Sequence, residues 1–122
     1  MAKILIADDD IQVHELLATA LAPDEFVLIH AYDGQETLKC IVEDRPDLVI
    51  LDILMPGKDG RDICRDLKQD LTTKNIKILM LSGKDEQFDR IVGLELGADD
   101  YITKPCSPFY LVSKIKKMLA RT

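Results

Sequence analysis

Along the chain, short apolar runs alternate with longer stretches in which apolar residues recur every three or four positions. The runs are KILIA at 3–7, EFVLIH at 25–30, DLVIL at 47–51, IKILML at 76–81 and YIT at 101–103. They predict five strands. Their near-continuous hydrophobicity suits strands covered on both faces, as in a parallel sheet, better than the strict alternation of a half-exposed one. Between the runs, Val13, Leu17, Ala20 and Leu21 share helical spacing, as do Leu38, Ile41 and Val42, and then Ile63 and Leu67. A fourth helical pattern holds Ile91, Leu94 and Leu96 and ends near Gly97, and a fifth holds Leu111, Ile115, Met118 and Leu119. Asp33 and Ser107 stand where the second and fifth helices need N-caps. The repeated strand–helix alternation predicts an α/β fold, a doubly wound five-stranded parallel sheet in the order 2-1-3-4-5 with helices on both faces.

Composition narrows the class. A chain of 122 residues with 47% hydrophobic and 31% charged residues is expected to form a single globular domain over 1–122. Its net charge of −6 argues against direct nucleic acid binding, which needs a concentrated excess of Lys and Arg. No apolar run approaches about 18 residues, so a membrane span is not expected. The start MAKILIADDD is too short in its apolar part and too acidic for a signal peptide, which leaves the cytoplasm as the expected location. Cys40, Cys64 and Cys106 lack metal-ligand spacing and are expected to serve packing. His14 and His30 likewise lack metal-ligand company.

In a doubly wound sheet the ligand site lies beyond the carboxyl ends of the strands. There the first strand is followed by Asp8, Asp9 and Asp10, the third by Asp52, the fourth by Ser82, and the fifth by Lys104 and Pro105. Carboxylates gathered at one rim repel one another and either take up protons or recruit a cation. Magnesium, which accepts few carboxylates and keeps several waters, suits an open acidic rim better than calcium does. A hydroxyl at Ser82 and an ammonium at Lys104, facing the same space, are the groups needed to hold phosphoryl oxygens. Simpler roles compete. Asp8 to Asp10 have the composition of a helix cap, and Asp10 is expected to act as one. MPGKDG after Asp52 is an ordinary turn sequence, and Tyr101 suits a short edge strand whatever else it does.

Four blocks in order, DDD after the first strand, LDILMPGKDG around Asp52, LSGKDE after the fourth and GLELGADDYITKP before the last helix, strongly resemble response-regulator receivers. The resemblance covers nearly the whole chain. It implies a flavodoxin-like fold and a phosphoacceptor switch of two-component signalling, not an enzyme beyond slow self-phosphorylation from small donors and self-dephosphorylation. It implies that Asp52 accepts a phosphoryl group from a histidine kinase or phosphotransfer protein. Magnesium would be bound by Asp8, Asp9, Asp52 and the backbone carbonyl of Leu54. Ser82 would hydrogen-bond the phosphoryl group, Lys104 would pair with it, and Tyr101 would move inward as Ser82 is drawn to the phosphate. Pro105 is expected to follow a cis peptide bond that aims Lys104 into the site.

A second class shares the aspartyl phosphate, namely phosphohydrolases of haloacid-dehalogenase type. They require an acid two residues after the nucleophile, and here that position is Leu54. A nucleotide-binding module is disfavoured because no GxxxxGK loop occurs.

The chain also departs from the receiver pattern. Cys106 stands where a Phe commonly follows the Lys-Pro pair. GLELGADDYITKP looks most like receivers that precede a winged-helix DNA-binding domain, so the chain is expected to be either a stand-alone receiver or the receiver of a longer regulator. In that group the face formed by the fourth and fifth helices and the fifth strand pairs two domains through charges. The matching positions are Arg90, Glu95, Asp99, Asp100 and Lys114, while the acidic partner expected at position 110 is Tyr110. A weak homodimer is therefore expected, with Arg90 left to stack on the Tyr110 ring. Phe109 either joins this surface or packs over the preceding loop.

Overall fold

A computed structural model of the chain describes residues 2–24, 26–83, 95, 97–104 and 107–120, without the side chains of Asp24 and Ser82. Its strands are β1 Lys3–Ala7, β2 Val27–Ala31, β3 Leu48–Asp52, β4 Lys77–Ser82 and β5 Asp100–Thr103. Four helices are described: α1 Ile11–Leu21, α2 Gly34–Asp44, α3 Gly60–Gln69 and the C-terminal helix α4 Pro108–Ala120, with a 3-10 turn at Ala22–Asp24. The expected helix around Ile91, Leu94 and Leu96 lies outside the described residues.

The strands form one parallel sheet in the order β2-β1-β3-β4-β5, as the alternation predicts. Strand ends follow pairing rather than hydrophobicity. β2 starts at Val27, opposite Lys3, so Phe26 packs against the core from outside the strand. β3 and β4 each run one residue past their apolar runs, because Asp52 pairs with Leu81 and Ser82 with Thr103.

Alternate strand residues feed two cores. Leu5, Ala7, Val49 and Leu51 pack with Ile41 of α2 and Ile63 and Leu67 of α3, whereas Ile4, Ile6, Leu48 and Ile50 pack with Leu17 and Leu21 of α1 and Leu111, Ile115 and Met118 of α4. Each fully buried Leu or Ile contributes about 1.5–3 kcal/mol. Val42, expected on the buried stripe of α2, is instead 66% exposed. The helix buries Gly34, Thr37 and Ile41, and the next residue points about 100° away from that line. Helix starts follow their caps: Asp10, Asp33 and Asp59 each accept a backbone N–H of the first turn. Ser107 precedes α4, and its carbonyl accepts from the Leu111 N–H at 3.1 Å.

Candidate functional site

The site grows from the pairing of β1 with β3. Ala7 lies opposite Leu51, so the next residues, Asp8 and Asp52, emerge side by side at the carboxyl rim. Asp9 follows. One oxygen from each of Asp8, Asp9 and Asp52 lies within 4.8 Å of the others. Asp10 turns away to cap α1, its Oδ1 accepting from the Gln12 N–H at 2.9 Å. Asp8 is 1% exposed and Asp9 is open to solvent, so the cluster has a buried floor and an accessible edge.

Lys104, the residue after β5, reaches across the rim. Its Nζ lies 2.8 Å from Asp8 Oδ2 and 3.6 Å from Asp52 Oδ2. Although burial disfavours the charged amine, Asp8, Asp52 and Asp10 together hold its ammonium above the usual lysine range. Burial pushes the Asp52 carboxyl up to about 6, and Asp8 and Asp9 push the same way. Lys104 and the Leu54 backbone N–H, which donates to it, pull it down.

Leu54 itself is exposed, on a loop whose backbone is pinned by two glycines. The Gly34 N–H donates to Pro56 O at 2.9 Å and the Gly60 N–H to Ile53 O at 2.8 Å. A Cβ at Gly34 would collide with the backbone of Lys58, and one at Gly60 with the Asp52 carbonyl. Glycine at both positions lets the loop close against β3 and α2.

The residues present fit a hard divalent cation. Asp8 Oδ2 is fully buried and accepts no hydrogen bond of good geometry; the lysine ammonium is its neighbour. Three carboxylates this close favour a cation or a proton between them, and Asp8 and Asp9 add to the burial that raises Asp52.

Of the residues singled out in the sequence, Asp8, Asp9, Asp52 and Lys104 meet at one rim. Ser82 is placed there by its backbone at the end of β4, and its side chain lies outside the described residues. So do Pro105, Cys106 and Arg90. Tyr101 is buried among the α2 and α3 side of the core. Cys64 is buried and Cys40 half-buried, in line with packing roles. Phe109 is 86% exposed, which favours the surface reading, while Pro105 and Cys106 of the preceding loop lie outside the described residues. Of the charges assigned to a dimer face, Asp99, Asp100 and Lys114 are engaged within the chain. Asp99 pairs with Lys68 at 2.9 Å, Asp100 with Lys114 at 3.0 Å, and Lys114 lies over the Tyr110 ring at 5.6 Å.

One pair escaped the sequence reading. His14 is buried, with Nε2 2.7 Å from the Asp8 carbonyl oxygen and Nδ1 2.7 Å from Nδ1 of His30. The available signal was spacing, since His14, Leu17 and Leu21 recur along one buried helical line.

Comparison with known proteins agrees with this geometry. The family model of the response regulator receiver domain matches residues 4–116. A chain described as a response regulator from Chloroflexus aurantiacus is 39% identical, with 98% of each chain covered and a TM-score of 0.92. The signal receiver domain of a signal transduction histidine kinase from Syntrophus aciditrophicus is 36% identical, covering 100% of this chain and 95% of that one, with a TM-score of 0.90. The beryllofluoride-activated N-terminal receiver domain of Klebsiella pneumoniae RstA is 34% identical, covering 98% and 99%, with a TM-score of 0.88. The chain belongs to the response regulator receiver domain family. It is a receiver of two-component signalling, a phosphoacceptor switch rather than a classical enzyme, and neither site nor relatives support the phosphohydrolase alternative.

Proposed function

We propose that Asp52 takes a phosphoryl group from the phosphohistidine of a histidine kinase or phosphotransfer protein, with magnesium held by Asp8, Asp9, Asp52 and the Leu54 carbonyl. The observation that carries this reading is the set of three carboxylates within 4.8 Å of one another beside the Lys104 ammonium. Magnesium, when bound, supplies charge neutralisation for the transferring phosphoryl oxygens.

Asp52, ionised above about pH 6, offers a carboxylate oxygen to phosphorus. The new O–P bond forms as the N–P bond of the donor breaks, and the freed imidazole keeps the electron pair and takes up a proton. Lys104 then has two claims on its ammonium, Asp8 and the new phosphoryl oxygens, which carry more negative charge. Ser82 donates its hydroxyl to the phosphoryl group, a contact that favours the inward position Tyr101 already holds here, so the added charge biases the domain toward one conformation. Small donors such as acetyl phosphate load the same residue slowly, and water removes the group slowly, since Leu54 supplies no general acid.

The same reading takes residues 1–122 as one receiver domain acting in the cytoplasm, without direct contact to nucleic acid. Among the described residues no helix is long and apolar enough to cross a membrane. The face built by β5, α4 and the segment before β5 is assigned to weak pairing of two activated domains.

Intact mass after incubation with acetyl phosphate and magnesium tests the assignment. One added phosphoryl group is expected, lost in EDTA and in Asp52→Asn. Undiminished labelling of Asp52→Asn would refute it.

A further inference from the structure

The pair that the receiver chemistry does not use is His14 with His30, and it touches the acidic rim from behind. β1 ends at Ala7, and the Asp8 N–H still finds a sheet partner in Ala31 O at 3.1 Å. The Asp8 carbonyl has gone past the last rung of β1 and β2. His14, in the first turns of α1, folds back and meets that carbonyl at 2.7 Å. The ring is 3% exposed, with the Tyr32 ring at 4.2 Å between centroids and the His30 ring at 4.9 Å.

For two neutral rings, proton bookkeeping sets both tautomers. A carbonyl oxygen only accepts, so His14 Nε2 must carry a hydrogen. In the neutral ring Nδ1 is then a bare lone pair, and it faces His30 Nδ1 at 2.7 Å. That nitrogen must be the donor, which puts His30 in the Nδ1–H form with its Nε2 unprotonated. Burial first, and His14 second, lower the His30 pKa, in keeping with a neutral donor. With both rings neutral, the result is a relay from β2 through α1 to the backbone of Asp8.

We propose that His14 is a positioning residue for the metal site, holding the Asp8 carbonyl so that the Asp8 and Asp9 carboxylates are aimed at the cation. This rests on the magnesium reading given above. With Asp8 clamped at its N–H by Ala31 and at its carbonyl by His14, the peptide that joins Asp8 to Asp9 cannot rotate without breaking a buried hydrogen bond. Both ligands hang from that peptide. Without His14 the carbonyl is left buried and unpaired, and the peptide turns to find water.

Magnesium titration followed by the amide shifts of Asp9 and Leu54 tests the role. His14→Leu keeps an apolar side chain in the core but cannot donate, and magnesium affinity is expected to fall about tenfold, the usual scale for losing a group that orients a metal ligand. His14→Gln, whose amide N–H reaches as far as Nε2, is expected to recover most of it. Equal affinity in wild type and a folded His14→Leu would overturn the positioning role alone, whereas a wild type that takes up no magnesium would overturn the metal reading and this role with it. A measurement on wild type stands apart from both variants. Long-range proton–nitrogen spectra should show His14 protonated at Nε2 and His30 at Nδ1; His14 protonated at Nδ1 alone would refute the relay whether or not either variant folds.

Discussion

Nζ of Lys104 lies 2.8 Å from Oδ2 of Asp8, closer than it comes to Asp52. The lysine therefore competes with any cation for Asp8. Removing it in Lys104→Met should raise magnesium affinity about tenfold or more, since a unit charge at this range is felt strongly even at an effective dielectric of about 20. The same change strands a carboxylate that is 1% exposed, although the lysine side chain is 26% exposed and already partly screened. A stability loss on the order of 2 kcal/mol is expected, below the full cost of breaking a buried pair. Magnesium titration and urea unfolding check both; unchanged affinity would show that metal and lysine do not share Asp8.

Asp52 links the site to stability. Its carboxyl is raised from 3.8 to about 6, chiefly by burial, so the folded state holds this proton more tightly than the unfolded chain does. Its stabilising contribution is complete below the unfolded value and is lost as pH rises through about 6. Asp52→Asn removes the loss. Without added metal, the variant should exceed wild type by on the order of 3 kcal/mol above about pH 7 and by little near pH 4. Urea unfolding at the two pH values measures the difference, and a gap of the same size at both would contradict the role of the proton.

Pairing of activated domains is expected to be weak. Asp99, Asp100 and Lys114 already have partners within the chain, and Tyr110 offers a ring where a carboxylate is needed. Sedimentation equilibrium with beryllofluoride and magnesium should show a loose wild-type dimer strengthened by Tyr110→Glu. A tight wild-type dimer weakened by that substitution would assign the interface to Phe109 and Tyr110 themselves.

What the sequence made legible were features carried by local order. Strand runs name their own ends to within one or two residues, and in a parallel sheet those ends are the rim, so Asp8, Asp9, Asp52 and Lys104 could be grouped before any distance was known. Asp10 and Asp33 were legible as caps for the same reason. The choice of Lys104 between two carboxylates was not, because a long side chain is placed by its rotamer. Nor was the link between His14 and His30, which are 16 residues apart and meet only once β2 has paired with β1. Val42 shows the limit of periodicity, since a stripe one residue too wide costs the sequence nothing.

The most direct test is to locate the phosphoryl group. Borohydride reduces an aspartyl phosphate to homoserine, and tandem mass spectrometry of the chain treated with acetyl phosphate, magnesium and then borohydride reads the modified position. Homoserine at position 52 alone is predicted. Homoserine at position 8 or 9, or a phosphoryl group that survives borohydride on a hydroxyl or imidazole, would contradict the account.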